Sequence, residues 1–419
     1  MRYPLRVLFA AGLVALVAVA AVVTVRLTAA TASVAAAIAS TTRWVPAAGL
    51  ALAVPAPPQG SLALDAVMGG VTTHLAAADA AAVRPIASVT KTMTALVILD
   101  QHPLRPGEEG EVLTITQVDV ADYLRVAAEN GSFVPVRIGE RFTERELLLG
   151  LMLPSANNLA LTAARWIDDT VPAFVARLNA RAIALGMAHT HFADPDGLSA
   201  ATTSTAADLV LLGEAAVANE ALLSVASSTT ATMPDGTVVS NLDRLLVLEP
   251  GWIGMKTGWT PEAGGCLLFA VERTPTPGSA PLVLVGAVLG QPPDLTSGWS
   301  HPELGGAFDV ARAAASTAFS GYAAVRVGPG SIPVTGRLST PWSASTGLYL
   351  TGPDRVVLLR AGDSLTVTTS VAGITAPAQE RTDAGAVTVT MGGTVVGTWT
   401  LVTASALEGP SSWWKLVHG

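Results

Sequence analysis

The order of strand-like and helix-like segments is the feature that most constrains the fold of this 419-residue chain. Apolar residues follow strand spacing near both ends of the segment up to residue 321 and helical spacing between them. In chain order the predicted segments are strands at 50–54 and 61–67, helices between 88 and 225, strands at 265–271 and 282–289, and a helix at 304–319. The first two strands, separated by prolines and a glycine, suit a hairpin with a long loop. We therefore predict an α/β domain over 48–321, in which both ends of the segment complete one sheet around an inserted helical subdomain.

The N-terminus has the pattern of an export signal. Arg2 and Arg6 precede an uncharged apolar stretch at 7–25, and Arg26 closes it. At about 1.5 Å per residue, such a stretch can cross a bilayer core of about 30 Å. Because positive charge leads, the rest of the chain is expected to be exported. Residues 1–26 are therefore predicted to be a membrane anchor or a signal sequence. The protein would be extracytoplasmic, anchored to the cell membrane, or secreted if the segment is cleaved.

Two further segments are distinguished by composition. Residues 27–47 are rich in Ala, Thr and Ser and are predicted to be a linker. After residue 321, short alternating runs are separated by Gly, Pro and Asp. This pattern predicts a small all-β domain over 322–419, in which we identify no reactive constellation.

Charge and composition exclude several classes of function. The net charge of −8 provides no basic excess for nucleic acid. The single cysteine, Cys266, cannot form an intrachain disulfide or a cysteine-based metal site, and its apolar surroundings favour a buried strand position. His189 and His191 alternate on an extended segment without an evident third ligand, so we interpret them as structural. No metal or cofactor is predicted.

Three short motifs carry the candidate chemistry: Ser88-Val89-Thr90-Lys91, Ser155-Ala156-Asn157, and Lys256-Thr257-Gly258 followed by Trp259. On a helix, residues three apart share one face, so the Ser88 hydroxyl and the Lys91 amine can meet. A serine needs a base to become a nucleophile. A lysine acts as that base when desolvation or a nearby positive charge, here that of Lys256, lowers its pKa.

The second and third motifs supply groups that such a reaction needs. Ser155 could relay a proton to a leaving amine, and Asn157 offers a donor and an acceptor to a substrate amide. Lys256 and Thr257 could bind a carboxylate, and Gly258 would allow a close approach of the backbone. Each motif alone also fits a structural role, such as a solvated helix face, a helix N-cap at Ser155 or a turn. Their joint occurrence in this order favours the chemical interpretation.

The three motifs resemble the signature of penicillin-binding proteins and class A β-lactamases. The surrounding sequence over 48–320 resembles the low-molecular-weight D-alanyl-D-alanine carboxypeptidases, the S11 peptidase family. The segments that carry this resemblance are Arg84 to Ala95, Gly139-Glu140, Leu178-Asn179-Ala180, Leu185-Gly186-Met187, Thr190-His191-Phe192, Asp194 to Leu198, Ser204 to Asp208, Gly254 to Thr260 and Ala263-Gly264-Gly265. It implies a penicillin-binding, serine β-lactamase-like transpeptidase fold with a helical subdomain.

The resemblance also implies a function. Ser88 is expected to attack the bond between two terminal D-alanines of a peptidoglycan stem peptide, with Lys91 as the base and Ser155 in proton transfer. The residues implied to bind the substrate are Asn157, Lys256, Thr257, Gly258 and Trp259, with the terminal carboxylate on Lys256 and Thr257 and the oxyanion on the N–H groups of Ser88 and Trp259. Water would release the acyl group, whereas β-lactams would acylate Ser88 and remain bound.

Two departures from the family pattern bear on substrate preference. Trp259 follows Lys-Thr-Gly where family members often carry other residues. Leu242 stands where some members have an arginine, so help with the substrate carboxylate is expected to be weaker or to come from Arg244.

Two alternative functions follow from the same motifs. A β-lactamase is disfavoured because no glutamate between the second and third motifs is followed four residues later by Asn, as the deacylating glutamate of class A enzymes would be. A catalytically idle cell-wall-binding or β-lactam-sensing protein of the same fold is disfavoured because every proposed catalytic side chain is present.

Overall fold

The computed structural model of the chain describes residues 33–34, 39–46, 52–68, 70–274, 281–296, 298–334, 336–372 and 374–418, together with 19–20 and 23–24. The predicted anchor or signal at 1–26 therefore lies almost entirely outside the described residues. Within those residues, no single helix is both long and apolar enough to cross a membrane. The chain divides into two compact units, one over 49–323 and one that joins the residues before 49 to 324–419.

The strands are β1 Ser33–Val34, β2 Ala39–Trp44, β3 Ser61–Met68, β4 Val71–Ala78, β5 Arg84–Pro85, β6 Val112–Thr114, β7 Arg141–Thr143, β8 Thr203–Ser204, β9 Thr230–Thr232, β10 Val238–Ser240, β11 Trp252–Thr260, β12 Gly264–Arg273, β13 Leu282–Gln291, β14 Ala323–Val327, β15 Gly336–Ser339, β16 Ser345–Thr351, β17 Arg355–Leu359, β18 Leu365–Val371, β19 Ile374–Thr375, β20 Asp383–Met391 and β21 Thr394–Thr403. The helices are α1 Thr90–Gln101, α2 Gln117–Ala128, α3 Glu144–Met152, α4 Asn157–Asp168, α5 Val171–Ala184, α6 Ala206–Ala218, α7 Glu220–Ala226, α8 Leu245–Leu248, α9 Pro302–Ser320 and α10 Ser412–His418. A 3₁₀ turn, Ala87–Val89, precedes α1.

An antiparallel sheet organises the larger unit and, among the described residues, has five strands in the order β11-β12-β13-β3-β4. β3 and β13 pair along their whole length, from Leu282 opposite Met68 to Leu289 opposite Ser61. The beginning and the end of the unit thus complete one sheet. This arrangement, with the helices inserted between, confirms the predicted α/β fold.

Helices cover both faces of this sheet. Gly213 of α6 lies against Val285 and Leu268, so that a methyl group there would come within 2.6 Å of Val285. Leu268 belongs to the core shared with the helical subdomain. Phe269 points to the opposite face by strand alternation. Helix α9 packs against β12 and β13 as well. Because both faces of the sheet are buried, the sequences of β12 and β13 are continuous apolar runs.

The predicted hairpin of strands 50–54 and 61–67 is wrong over the residues that the structure describes; residues 50 and 51 lie outside them. Residues 52–58 have no regular structure, and β3 pairs instead with β4, with Met68 opposite Val71. The tight connection uses Gly70, whose φ of 79° is readily accessible to glycine. The strand β4 was not predicted because the polar residues Thr72, Thr73 and His74 interrupt the alternation of apolar and polar residues.

The smaller unit is rich in strands, as predicted for 322–419. Among its described residues a six-stranded antiparallel sheet has the order β15-β16-β21-β20-β18-β2. The strand β2 comes from the segment predicted as a linker and pairs with β18, Trp44 opposite Leu365 and Ala39 opposite Ser370. The linker prediction over 27–47 therefore fails for residues 39–44. Small polar residues resemble a spacer, but here they supply an edge strand to a sheet whose other strands are far away in sequence.

Candidate active site

The turn that carries Ser88 is held in a strained conformation. Ala87 has a φ of 47°, which places a non-glycine residue in the left-handed region directly before Ser88. The Thr90 hydroxyl donates to the Ala87 carbonyl at 2.7 Å. Gly197, from the loop before β8, packs so close that a Cβ atom there would lie 1.9 Å from that same oxygen. The Asp194–Leu198 segment thus supports the turn from behind, and only glycine fits at 197.

Lys91 lies at the centre of the site. Its side chain is fully buried, and Nζ lies 2.8 Å from the Ser88 Oγ atom, 2.7 Å from the Asn157 Oδ1 atom and 2.7 Å from the Asp196 carbonyl oxygen. The helical spacing predicted the first contact, whereas the other two need the tertiary fold.

These three contacts determine which groups donate and which accept hydrogen bonds around the Lys91 amine. The Asn157 Oδ1 atom and the Asp196 carbonyl oxygen only accept hydrogen bonds, so they take two N–H groups of Lys91. A neutral amine then has its lone pair left for the Ser88 hydroxyl, which can donate to it. The arrangement is that of a nucleophile bonded to its base.

Burial lowers the pKa of Lys91 to about 8, against the opposing effect of the carboxylates of Asp196 and Asp194. Burial likewise raises the pKa of the Asp196 carboxyl, so burial favours the uncharged form of both Lys91 and Asp196. Of the two causes expected from the sequence, desolvation is therefore the main one for the pKa of Lys91, and the charge of Lys256 is not among the contributions. The reason is that Lys256 is itself desolvated: burial and the neighbouring Lys91 hold the pKa of Lys256 well below its usual range.

Ser155 connects α3 to α4 and does not act as a helix cap. The N-cap of α4 is Ala156, which has no side-chain capping bond. Ser155 has a φ of 66°, and its Oγ atom is buried without a hydrogen-bond partner in the described structure. A strained backbone and an unpaired buried hydroxyl together cost several kcal/mol at about 1–3 kcal/mol each. Such a cost is typical of a functional position, and Ser155 lines the same cavity as Ser88.

Strand β11 brings the third motif against the nucleophile. A Cβ atom on Gly258 would lie 3.0 Å from the Ile86 oxygen and from the backbone nitrogens of Ser88 and Val89. The predicted close approach at Gly258 is therefore present. Thr257 and Trp259 face the cavity, whereas Lys256 is buried behind them and its Nζ donates to the Thr257 carbonyl at 3.1 Å.

These residues surround a cavity of about 340 Å³. Its lining consists of Ser88, Gly131, Ser132, Phe133, Pro154, Ser155, Ser240, Leu242, Thr257, Gly258, Trp259, His301, Glu303 and Leu304. The predicted residues Ser88, Ser155, Thr257, Gly258 and Trp259 thus meet at one surface, with Lys91, Asn157 and Lys256 directly behind it.

Sequence reasoning missed the contributions of the 131–133 loop and of the start of α9. His301 and Glu303 lie outside all three motifs, and only their position just before the last predicted helix could have drawn attention to them. Arg244, the suggested replacement for an arginine at Leu242, does not line the cavity.

The remaining sequence expectations concern structural residues. Cys266 is fully buried in β12, and burial raises the pKa of its thiol to about 12. The His189 N–H donates to Asp208 at 2.7 Å, and His191 pairs with Thr203 through backbone hydrogen bonds. Among the described residues, no group of three or more His, Cys, Asp or Glu is arranged to hold a metal ion.

The sheet is covered by helices on both faces, and a helical subdomain is inserted between its strands. Together with Ser88 at the cavity and the buried Lys91 beside it, this architecture is that of the penicillin-binding class of proteins. Comparison with known proteins makes this assignment specific. The family model of the D-alanyl-D-alanine carboxypeptidases, peptidase family S11, matches residues 61–287. The match covers more than half of the chain, and the chain belongs to this family.

Individual relatives agree with the family model. A D-alanyl-D-alanine carboxypeptidase of Mycobacterium tuberculosis is 35% identical over 187 residues, which are 43% of this chain and 60% of the relative. A D-alanyl-D-alanine endopeptidase of Pseudomonas aeruginosa is 34% identical over 197 residues, 44% of this chain and 58% of the relative. The crystal structure of the Streptomyces K15 DD-transpeptidase superposes with a TM-score of 0.50 at 29% identity, covering 63% of this chain and all of that one. This chain thus spans about three fifths of the length of the curated relatives.

Proposed function

We propose that the protein is a serine D-alanyl-D-alanine carboxypeptidase that removes the terminal D-alanine of peptidoglycan stem peptides and is acylated by β-lactams. The observation that carries the proposal is the contact of the Ser88 Oγ atom with the Lys91 Nζ atom at 2.8 Å, with two acceptors on the remaining N–H groups of Lys91. Family membership supports the substrate class. The relatives are named for carboxypeptidase, endopeptidase and transpeptidase reactions. In general, the first two reactions transfer an acyl group to water and differ in the amine that leaves, whereas the third transfers it to another amine.

Acylation follows from the protonation state of the pair. Neutral Lys91 accepts the Ser88 proton while Oγ forms a bond to the carbonyl carbon of the penultimate D-alanine. The developing oxyanion would be held by the N–H groups of Ser88 and Trp259. The proton then passes through the Ser155 hydroxyl to the leaving nitrogen, and the C–N bond breaks to release D-alanine.

Deacylation uses the same groups in reverse. A water molecule enters the place vacated by D-alanine and gives its proton to the neutral amine of Lys91 while its oxygen attacks the ester carbon. Return of that proton to the Ser88 Oγ atom releases the shortened peptide. A β-lactam leaves its amine tethered to the acyl group, which blocks the entry of this water.

The decisive experiment is the release of D-alanine from a peptide that ends in D-Ala-D-Ala. We expect release by the wild type and none by Ser88→Ala. A matched control is Ser370→Ala, an exposed serine on β18 of the other unit, which should leave the rate unchanged. No release by a folded wild type from any such peptide would refute the carboxypeptidase proposal.

Labelling with a fluorescent penicillin separates the alternatives. A carboxypeptidase should be labelled stably at Ser88, and the label should be absent in Ser88→Ala. Rapid turnover of a chromogenic cephalosporin would favour a β-lactamase instead. Stable labelling together with an absence of peptide hydrolysis would favour a β-lactam sensor.

The proposed substrate lies outside the cytoplasmic membrane, so the proposal includes export. The apolar stretch at 7–25 and the arginines before it support an N-terminal anchor or signal. The mass of the protein recovered from membranes of the producing cell distinguishes the two, because a cleaved signal removes about 3 kDa, roughly 30 residues. Recovery of the intact chain from the cytosol would contradict export.

A further inference from the structure

The Asp196 carboxyl is a buried ionisable group beside the base, and the proposed mechanism has no step for it. Asp196 is 4% exposed. Its carbonyl oxygen accepts a hydrogen bond from the Lys91 Nζ atom at 2.7 Å, and its Oδ1 atom accepts one from the Leu198 N–H at 3.3 Å. A backbone N–H at that distance solvates a buried carboxylate poorly. The carboxyl must therefore either hold a proton or have a positive charge nearby, and the fold places Lys91 next to it.

Asp194, in the same loop, has a different role. Its carboxylate accepts hydrogen bonds from three donors of the loop, the Gly197 N–H at 3.1 Å, the Ser199 N–H at 2.7 Å and the Thr202 hydroxyl. These donors satisfy the charge of Asp194 and hold the loop in its turn. Burial raises the pKa of the Asp196 carboxyl to about 7, the charge of Lys91 opposes this shift, and Asp194 adds to it. The ionisation of Asp196 is thus linked to that of Lys91.

The loop holds Asp196 at a fixed distance from Lys91. The residue after it, Gly197, lies so close to the nucleophile's turn that a Cβ atom there would be 1.9 Å from the Ala87 carbonyl oxygen. The residue before it, Pro195, accepts a hydrogen bond at its carbonyl oxygen from the Thr94 hydroxyl of α1 at 2.7 Å. Both neighbours of Asp196 are therefore fixed to the elements that carry Ser88 and Lys91. The interaction between the two charges is built into the fold.

Few other ionisable groups face Lys91. Strand β11 presents Lys256, which is buried, and Asp243 from the loop after β10 faces Lys256 in turn. Helix α4 presents Asn157, which is uncharged. Within the part of the chain that the structure describes, the negative charges that act on Lys91 are the two carboxylates of the 194–198 loop.

We infer that Asp196 acts through Lys91 as a buried counter-charge that sets the pH above which Ser88 can be acylated. The inference rests on the proposed function, since it concerns the regulation of the same nucleophile and base. An ionised Asp196 stabilises the protonated form of Lys91, and protonated Lys91 cannot accept the Ser88 proton. The neutral base therefore appears only at a higher pH than it would beside an uncharged residue. Asp196 does not line the cavity, so it is a positioning residue that acts on the base.

The test is the rate constant for acylation by a fluorescent penicillin, measured between about pH 5 and pH 9. Asp196→Asn keeps an acceptor for the Leu198 N–H and the backbone contact with Lys91, and Asp196→Ser is a second uncharged variant. Asp235→Asn is the matched control. Asp235 is exposed in the turn between β9 and β10, and its Oδ1 atom accepts from the Thr237 N–H at 2.8 Å, two residues on, as Asp196 does from Leu198. Thermal unfolding of each protein is followed in parallel.

Removal of the carboxylate should move the midpoint of the acylation profile down by about one pH unit, a shift typical of a neighbouring charge. At about pH 6 both Asp196 variants should therefore be acylated about tenfold faster than the wild type, with plateau rates at high pH within about twofold of it. A merely structural role would lower the plateau and leave the midpoint in place. Asp235→Asn should match the wild type throughout.

The outcomes separate the inference from the proposed function. An unchanged midpoint in both Asp196 variants, at any plateau rate, would overturn the inference and leave the carboxypeptidase proposal intact. An equal shift in Asp235→Asn would also overturn it, because the effect would then come from the net charge of the protein. Absence of acylation of the folded wild type at every pH would overturn both the inference and the proposed acylation by β-lactams.

Discussion

Substitution of Gly258 by alanine tests the most specific geometric claim about the site, the contact between β11 and the nucleophile's backbone. The new Cβ atom would lie 3.0 Å from three atoms, the Ile86 oxygen and the nitrogens of Ser88 and Val89. Ordinary contacts begin at 3.4 Å, so each distance is short by 3.4 − 3.0 = 0.4 Å. All three neighbours are backbone atoms, which cannot rotate away as a side chain would.

The strain must therefore move either β11 or the turn that carries Ser88. Overpacking of a tight interior contact costs about 1–3 kcal/mol of stability. A displacement of a few tenths of an ångström moves Ser88 relative to the oxyanion donors, and misplacements of about 1 Å cost about 100-fold in rate. We expect the acylation rate of Gly258→Ala to fall by roughly 10- to 100-fold.

The assay is the second-order rate constant for acylation by a fluorescent penicillin, followed together with thermal unfolding. Gly330→Ala is the matched control, because no atom lies within 4 Å of a Cβ atom at that position. It should match the wild type in both measurements. If Gly258→Ala is acylated within about twofold of the wild type and unfolds at the same temperature, the packing of β11 against Ser88 does not constrain the nucleophile.

Three further predictions follow from Lys91, Ser155 and Glu144. Because acylation needs neutral Lys91, the acylation rate should rise with pH and level off above about 8. Arginine stays charged, so Lys91→Arg should abolish acylation at every pH, as measured by penicillin labelling. Ser155→Ala removes the proposed proton relay, so peptide turnover should fall by about 100-fold or more. It also removes an unpaired buried hydroxyl, so the unfolding temperature should stay the same or rise. Unchanged turnover would exclude a proton relay at Ser155. Burial raises the pKa of Glu144 from 4.5 to about 7, so its folded state holds the proton more tightly than its unfolded state. Stability from this group is present below pH 4.5 and is lost as the pH rises through about 7. Near pH 8, Glu144→Gln should therefore have a free energy of unfolding in urea higher than that of the wild type by roughly 3 kcal/mol, with no such difference near pH 4.

Much of the site could be predicted from the sequence because the contact between Ser88 and Lys91 is local. Ser88 and Lys91 lie three residues apart, and the 3₁₀ turn that continues into α1 brings their side chains together. The bounds of the last helix, predicted as 304–319, also lie within two residues of those of α9, because apolar spacing acts over short distances. The order of strands and helices was enough to predict a sheet completed by β3 and β13.

The tertiary structure decided the contacts that turn this pair into a base and a nucleophile. Asn157 and Asp196 lie 66 and 105 residues from Lys91, and their meeting at Nζ follows from the packing of separate elements. Strand pairing is equally non-local, which is why β2 was mistaken for a linker and β4 was missed. His301 and Glu303 belong to no sequence motif and join the cavity only because α9 packs against the sheet. A sequence specifies which neighbours share a helix face, whereas burial, and with it the lowered pKa of Lys91, depends on the residues that the fold brings around each group.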